Sequence, residues 1–288
     1  GVIRTQVHLL RFDPANRGSL LRHDTLTQGT ARHVASRISP DGRRLAYVRS
    51  TGGSEDIYVL PISGGEAQRV NVLSDWRRVL DLKWAHSGER LAVLADTEDG
   101  PKILIISLSD SRVVELDASP PWGNWLTWSP DERWIAYQAP DDSYYVLHDL
   151  ETGEERRAFE ELNGEMVQSM FSPDGTHLLV NSIFPSGMFA QNLRTGHTHR
   201  VTDTNYPSNF VFWSDDGTIY LYDQQSGILT VPWSGGDPQP FAPVPIQCAR
   251  SWSASMGPDG ESFACSVDEH RESDIWVIDD FGLESDGG

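Results

Sequence analysis

The chain has 288 residues, enough for one large all-β domain or two ordinary ones, with a full hydrophobic core. Lys and Arg number 23 against 42 Asp and Glu, a net charge of −19. Nucleic acid and anionic membrane surfaces are bound through clustered cations, so this balance argues against both.

No apolar run is long enough to cross a bilayer as a helix, and no signal peptide is visible. The chain opens on Gly1 and reads as a piece of a longer protein, so missing targeting sequence says nothing about the parent. Only Lys83 and Lys102 are lysines; the other 21 basic residues are arginines. Acid excess with scarce lysine fits a GC-rich genome or a salt-adapted organism, and either concerns solubility rather than chemistry.

In chain order, "TQVHLLRF" (5–12) reads as a strand and "RHDTLTQ" (22–28) as an outer strand. A turn phrase then returns six times: "ISPDGRRLAYV" from Ile38, "WAHSGERLAVL" from Trp84, "WSPDERWIAYQ" from Trp128, "FSPDGTHLLVN" from Phe171, "WSDDGTIYLYD" from Trp213 and "MGPDGESFACS" from Met256. The starts lie 46, 44, 43, 42 and 43 residues apart, a drift that loops of varying length produce. In the Ser-Pro-Asp-Gly turn, Pro fixes φ, Asp accepts local backbone hydrogen bonds and Gly allows positive φ.

Each unit predicts four antiparallel strands. One strand ends at the start of the phrase and a second follows the turn, as in "RLAYV" (44–48) and "WIAYQ" (134–138). The third strands are "DIYVL" (56–60), "KILII" (102–106), "YYVLH" (144–148), "MFAQN" (188–192), "GILTV" (227–231) and "DIWVI" (274–278). A short turn such as "SGGE" or "ETGE" leads to an outer strand. Four short strands per repeat, six times over, without helical periodicity, predict an all-β, six-bladed β-propeller. Closure of a ring also removes the sheet-edge problem.

The pattern "[W/F]SPDG…IAY…DIYV…GG" resembles the TolB-type, WD-like propeller repeat over about residues 22–280. The second repeat departs most, with "AHSG" in the turn, and the third has Glu132 where Gly is usual. The resemblance implies a bacterial binding, sensor or scaffold propeller. Similar repeats follow kinase or DNA-binding domains, occur in periplasmic scaffolds, or precede prolyl-oligopeptidase-type hydrolase domains; such a hydrolase domain is missing here.

The expected architecture is a single domain over residues 1–288, with 281–288 a flexible tail. The sixth repeat ends after its third strand, so residues 22–28 are expected to supply its outer strand and close the ring from the N-terminus. Residues 5–12 either add to that closing blade or are the remnant of an upstream repeat. Cys248 and Cys265 flank the sixth turn phrase. A bridge is within reach of a hairpin centred near Gly257 and Pro258, but neither cysteine needs one, and buried free thiols are the expectation.

No nucleophile elbow, zinc-protease helix, phosphate loop or calcium loop is present. The expectation is therefore a non-catalytic module without metal or cofactor, the alternative being a channel-site lyase or hydrolase, or the propeller of a peptidase. The turn aspartates Asp41, Asp131, Asp174, Asp216 and Asp259 read as structural. His197 and His199 share a strand face, which a metal could use, but no third ligand is evident.

The candidate site is the funnel mouth where the first strands of the units begin. It gathers Arg32, His33, Trp76, Arg77, Arg78, Trp122, Asn124, Trp125, Glu165, Gln168, Tyr206, Asn209, Arg250 and Trp252. Aromatic walls with a few oriented polar groups suit a ligand site, and arginines concentrated in so acidic a chain suit an anionic ligand. Any single tryptophan there can equally pack between blades. The expected partner is a peptide, a protein or a small anion bound by a monomer. An extracytoplasmic compartment is favoured over the cytoplasm.

Overall fold

The computed structural model describes residues 3–270 apart from 14, 17, 71–75, 119, 121–124, 142, 163–164, 204–208 and 250–252. Every named element is a strand. The first two are β1 (Ile3–Phe12) and β2 (Leu20–Thr25). Then come β3 (Arg32–Ile38), β4 (Arg44–Ser50), β5 (Glu55–Pro61) and β6 (Gln68–Arg69), followed by β7 (Trp76–Trp84), β8 (Arg90–Thr97), β9 (Gly100–Ser107) and β10 (Val113–Glu115). The third unit holds β11 (Leu126–Trp128), β12 (Trp134–Gln138), β13 (Tyr145–Asp149) and β14 (Glu155–Ala158). The fourth holds β15 (Glu165–Phe171), β16 (His177–Phe184), β17 (Gly187–Asn192) and β18 (Thr198–Thr202). The chain ends in β19 (Asn209–Trp213), β20 (Thr218–Asp223), β21 (Gly227–Pro232) and β22 (Gln239–Ala242), then β23 (Ser255–Met256) and β24 (Ser262–His270).

Four of these sets, β7–β10, β11–β14, β15–β18 and β19–β22, are separate four-stranded antiparallel sheets, the blades of a β-propeller. The rest form one eight-stranded sheet in the order β23-β24-β1-β3-β4-β5-β6, with β2 paired to β1. The sequence predicts six separate sheets; two of them are fused here. The fusion is a single parallel bridge, Thr5 opposite Arg32. His33 reinforces it, its Nδ1 lying 3.0 Å from the Thr5 carbonyl oxygen.

The closing unit corrects one assignment. Its third strand is β1, which runs antiparallel to β24 from Ile3 opposite His270 to Arg11 opposite Ser262. The segment 274–278, expected in that place, lies outside the described residues, as does the tail 281–288. β1 is apolar on successive residues, with Val7, Leu9 and Leu10 buried, so it fits between two strands as an edge strand would not. The outer strand is β2, overlapping the expected 22–28. Of the two readings of residues 5–12, addition to the closing unit is the one observed.

Hydrophobic clusters fill the gaps between neighbouring sets. Ile57 of β5 packs with Leu82 and Leu91 of the next sheet, and Leu10 and Phe263 pack with Tyr222 and Ile228. Val7 and Leu9 pack with Ile38 and Leu45, which shuts the last gap. The strands that lead into the turn phrases touch in succession, β3 to β7, β11, β15, β19 and β23, and β23 returns to β3.

The recurring turn is held by its own side chains. Ser39 Oγ donates to Asp41 Oδ1 at 2.5 Å, Arg43 N donates to the same oxygen at 3.0 Å, and Arg44 N donates to Ser39 Oγ at 2.9 Å. The pattern repeats at Ser129 and Asp131, Ser172 and Asp174, and Ser214 and Asp216. These carboxylates are occupied locally, as the structural reading requires. Glu132 takes the glycine position at φ 58°, and its side chain reaches the preceding sheet, where Arg90 Nη2 donates to Oε2 at 2.6 Å.

Cys248 and Cys265 are joined in a disulfide, with Cα atoms 5.7 Å apart. The expected free thiols are thus corrected. Cys248 bridges to Val267 in the ladder, the register that the hairpin count gives, and from there the disulfide reaches Cys265, two residues before that partner. Both side chains are buried.

Candidate functional site

The turn-leading strands begin at one end of the ring and finish at the other, so the ring has two mouths. At the first lie those of the expected rim residues that the structure describes. Trp122, Asn124, Tyr206, Arg250 and Trp252 are outside the described residues, as is the side chain of Asn209. Arg32, Arg77, Arg78 and Glu165 are exposed.

Arg32 and Arg78 are brought near one carboxylate, that of Glu55. Burial pushes the Glu55 carboxyl up, and the Val79 amide, Arg78 and Arg32 draw it back. Glu55 Oε2 accepts from Val79 N at 2.7 Å. Trp76 packs on the adjoining core and donates from Nε1 to the Glu55 carbonyl at 2.7 Å, so it acts as an inter-sheet wedge. His33 and Gln168 are buried; His33 is committed to Thr5 and lies edge-on to Tyr47. Arg77 faces Glu98 at 3.8 Å.

At the opposite mouth a cavity of about 370 Å3 lies on the axis. Its lining comes from all six turn-leading strands and their turns: Ile38 and Pro40, Lys83 and Trp84, Thr127 and Pro130, Ser169 to Pro173, Val211 to Trp213, and Ala254 to Met256 with Pro258. Four prolines stand around the opening because the turn phrase puts Pro at the same step of four repeats, with His86 and Asp215 at that step in the other two. The sequence reading chose the other end, where loops gather; the walls here are the strand ends themselves.

A charged cluster lies where β3 and β7 meet. Arg37 Nη2 donates to Asp81 Oδ1 at 3.3 Å and Nη1 donates to the Ser36 carbonyl at 3.0 Å. Asp81 also accepts from Leu82 N at 2.9 Å and from Leu126 N at 3.2 Å. It therefore ties three successive sheets together. Lys83 Nζ lies 3.8 Å from Asp81 Oδ2, beyond hydrogen-bond range, and 5.9 Å from the centre of the Trp125 ring.

Burial pushes the Lys83 ammonium down to about 8; Asp81 opposes this and Arg37 adds to it. The same burial lowers Arg37, with Asp81 opposing.

Sequence reasoning missed Arg37, Asp81 and Lys83, although a signal was present. In "ASRISPDG" and "DLKWAHSG" charges sit in the strand ahead of the turn, where "NFVFWSDD" and "WLTWSPDE" have none. Two of the strands also carry bulges, between Val34 and Arg37 and between Val79 and Asp81. Bulges re-aim side chains, which no repeat alignment reveals.

The histidine pair does not form a metal site: His199 Nε2 lies 3.0 Å from the Trp233 carbonyl oxygen and its ring meets that indole edge-on. Among the described residues no group of three or more His, Cys, Asp or Glu is placed to hold a metal.

No family model matches this sequence, and no curated protein matches it. Solved structures do. A protein assigned as TolB from Agrobacterium tumefaciens superposes with a TM-score of 0.70 at 19% identity, over 94% of this chain and all of that one. TolB from Acinetobacter baumannii gives 0.55 at 14% identity, over 82% of this chain and 66% of that one. An oligogalacturonate lyase in complex with manganese gives 0.59 at 14%, over 85% and 80%. At these identities the likeness concerns the fold, which is that of a TolB-like β-propeller.

Proposed function

We propose that this protein is a non-catalytic binding propeller whose ligand sits on the ring axis. The observation that carries the reading is the axial cavity walled by six strands, where aromatic and aliphatic side chains alternate with polar groups that can orient a ligand. We read the architecture as six blades: the eight-stranded sheet counts as two, β3–β6 and the closing set of β23, β24, β1 and β2, because one bridge joins them and a hydrophobic cluster lies between them.

The whole chain then acts as one domain, which limited proteolysis into two stable halves would contradict. The module belongs to a larger bacterial protein, with a peptide, a protein or a small anion as partner. The disulfide supports an extracytoplasmic setting, since such bonds persist in oxidising compartments. The enzyme alternative has in its favour the fold shared with oligogalacturonate lyase.

The experiment is a thermal-shift screen of small molecules and peptides, repeated with two variants. Met170→Trp fills the cavity, and Arg78→Ala removes a rim cation. Loss of the shift in the first and retention in the second supports the axial site at the turn end. The reverse result moves the ligand to the rim formed by Arg32, Arg78 and their neighbours.

A further inference from the structure

Resting on the axial site just proposed, we infer that its ligand is a monoanionic organic carboxylate with an apolar body, received at the carboxylate by Lys83.

Of the charged residues that line the cavity, Arg37 is buried and Lys83 half-buried beside Asp81, which leaves one positive charge there, while Asp215 and His86 sit exposed on the turns at the opening. Asp81 is saturated by two backbone amides and by Arg37. The Lys83 ammonium thus holds donors that Asp81 does not engage at hydrogen-bond distance. Ser169, from the fourth repeat, lines the same cavity and is 3% exposed, and its Oγ has no hydrogen-bond partner among the described residues.

A buried hydroxyl without a partner costs free energy unless a ligand or water satisfies it. An ammonium and a hydroxyl that converge on one cavity suit an acceptor-only group of charge −1. A dianion would exceed the local charge, and the acidic exterior of the protein opposes long polyanions. Phe171, Phe212, Met170 and Met256 offer apolar contact on the other walls, between hydroxyl residues such as Thr127 and Ser255, so the rest of the ligand is mainly hydrocarbon or aromatic. Such chemistry belongs equally to a small free acid and to the C-terminal residue of a peptide.

The chain's two lysines make the test site-resolved. Reductive methylation followed by peptide mapping reports Lys83 and Lys102 separately. Lys102 is ion-paired with Glu115 at 3.0 Å, far along β9, and serves as the internal control. The probes are N-acetylphenylalanine, its primary amide, and an octapeptide ending in phenylalanine with a free or amidated terminus. Each is tested on the intact protein and on Lys83→Met and Lys83→Arg.

The free acid should slow methylation of Lys83 and leave Lys102 unchanged. Acid should bind about tenfold more tightly than amide, the worth of a charge-assisted hydrogen bond. That ratio should fall to about one in Lys83→Met and recover in part in Lys83→Arg. Protection by the small acid alone assigns a metabolite-sized ligand, and stronger protection by the free-terminus octapeptide assigns a chain end; both support the inference. Equal binding of acid and amide to the wild type overturns it while leaving the axial site standing. If no probe protects Lys83, and none shifts melting in the wild type, the axial reading falls with it.

Discussion

The guanidinium of Arg37 and the carboxylate of Asp81, from two successive sheets, meet at 3.3 Å with both side chains almost fully buried. Removing one member leaves the other charged and desolvated without its main counter-charge. Breaking such a pair costs about 3–5 kcal/mol. Asp81→Ala should fall in that range, because it also strands the Leu82 and Leu126 amides. Arg37→Met combined with Asp81→Leu should lose less than Asp81→Ala alone. Urea unfolding of the wild type and the two variants checks this, and a double variant as weak as the single would contradict it.

The closing unit is held by β1, whose Leu10 is fully buried against Phe263 and Tyr222. Leu10→Ala should cost about 2–5 kcal/mol, as core truncations do. Deleting residues 1–30 should lower the melting temperature of the whole ring, since it exposes β24 as an edge. A synthetic peptide of residues 1–30 should restore part of the loss. Unchanged melting after deletion would mean that the ring is closed by some other segment.

The disulfide from Cys248 to Cys265 spans 17 residues. A loop of this size gives about 3 kcal/mol through the unfolded state in the chain-entropy treatment. Replacing both cysteines by Ser should reduce stability by that order without changing the circular dichroism of the strands. Denaturation with and without reductant provides the comparison, and the double variant should be insensitive to reductant.

Acid sensitivity should centre on Asp149. Its buried carboxylate accepts from Arg133 Nε at 2.8 Å and Nη2 at 2.6 Å, and from two backbone amides. Hydrogen bonding to Arg133 draws it down to about 2, against the cost of burial. For a depressed carboxyl, the stabilisation is complete above the unfolded value of about 4 and is lost as pH falls through about 2. Arg133→Met should therefore unfold at lower urea than wild type at pH 5. The two should converge near pH 2. A constant gap across that window would assign the loss to packing on Trp134 instead, where Arg133 lies 5.4 Å from the ring centre.

The repeat was legible because its turn demands particular residues. Pro, Asp and Gly at fixed steps, with Ser39 and Asp41 bonding locally, leave a signature that is whole in three of the six phrases and keeps its Asp in five. The third strands of five units follow from the same spacing. The sixth did not, because β1 pairs with β24 across most of the chain, and pairing partners at that separation leave no periodic trace. Thr5 Oγ1 donating to Asp268 Oδ1 is such a contact.

At the site, the structure brings Arg32 and Arg78 near Glu55 at one mouth, with Trp76 beside them, a placement that strand direction alone sets. Lys83 and Ser169 were not expected at the other. Their placement depends on how six strand ends converge, a property of the closed ring and not of any one repeat.

The pairing of β1 with β24 also has a consequence for synthesis on the ribosome. Strands formed early find their partners within one hairpin as the chain emerges, so the middle units can assemble during elongation. β1 emerges first but cannot complete its sheet until residues 262–270 have left the exit tunnel. Until then Val7, Leu9 and Leu10 remain without half of their cover. The last joint to form is thus the one with the greatest sequence separation. Such joints are the slow step of folding, and this one leaves the propeller an open arc with a sticky first strand until residues 262–270 are made.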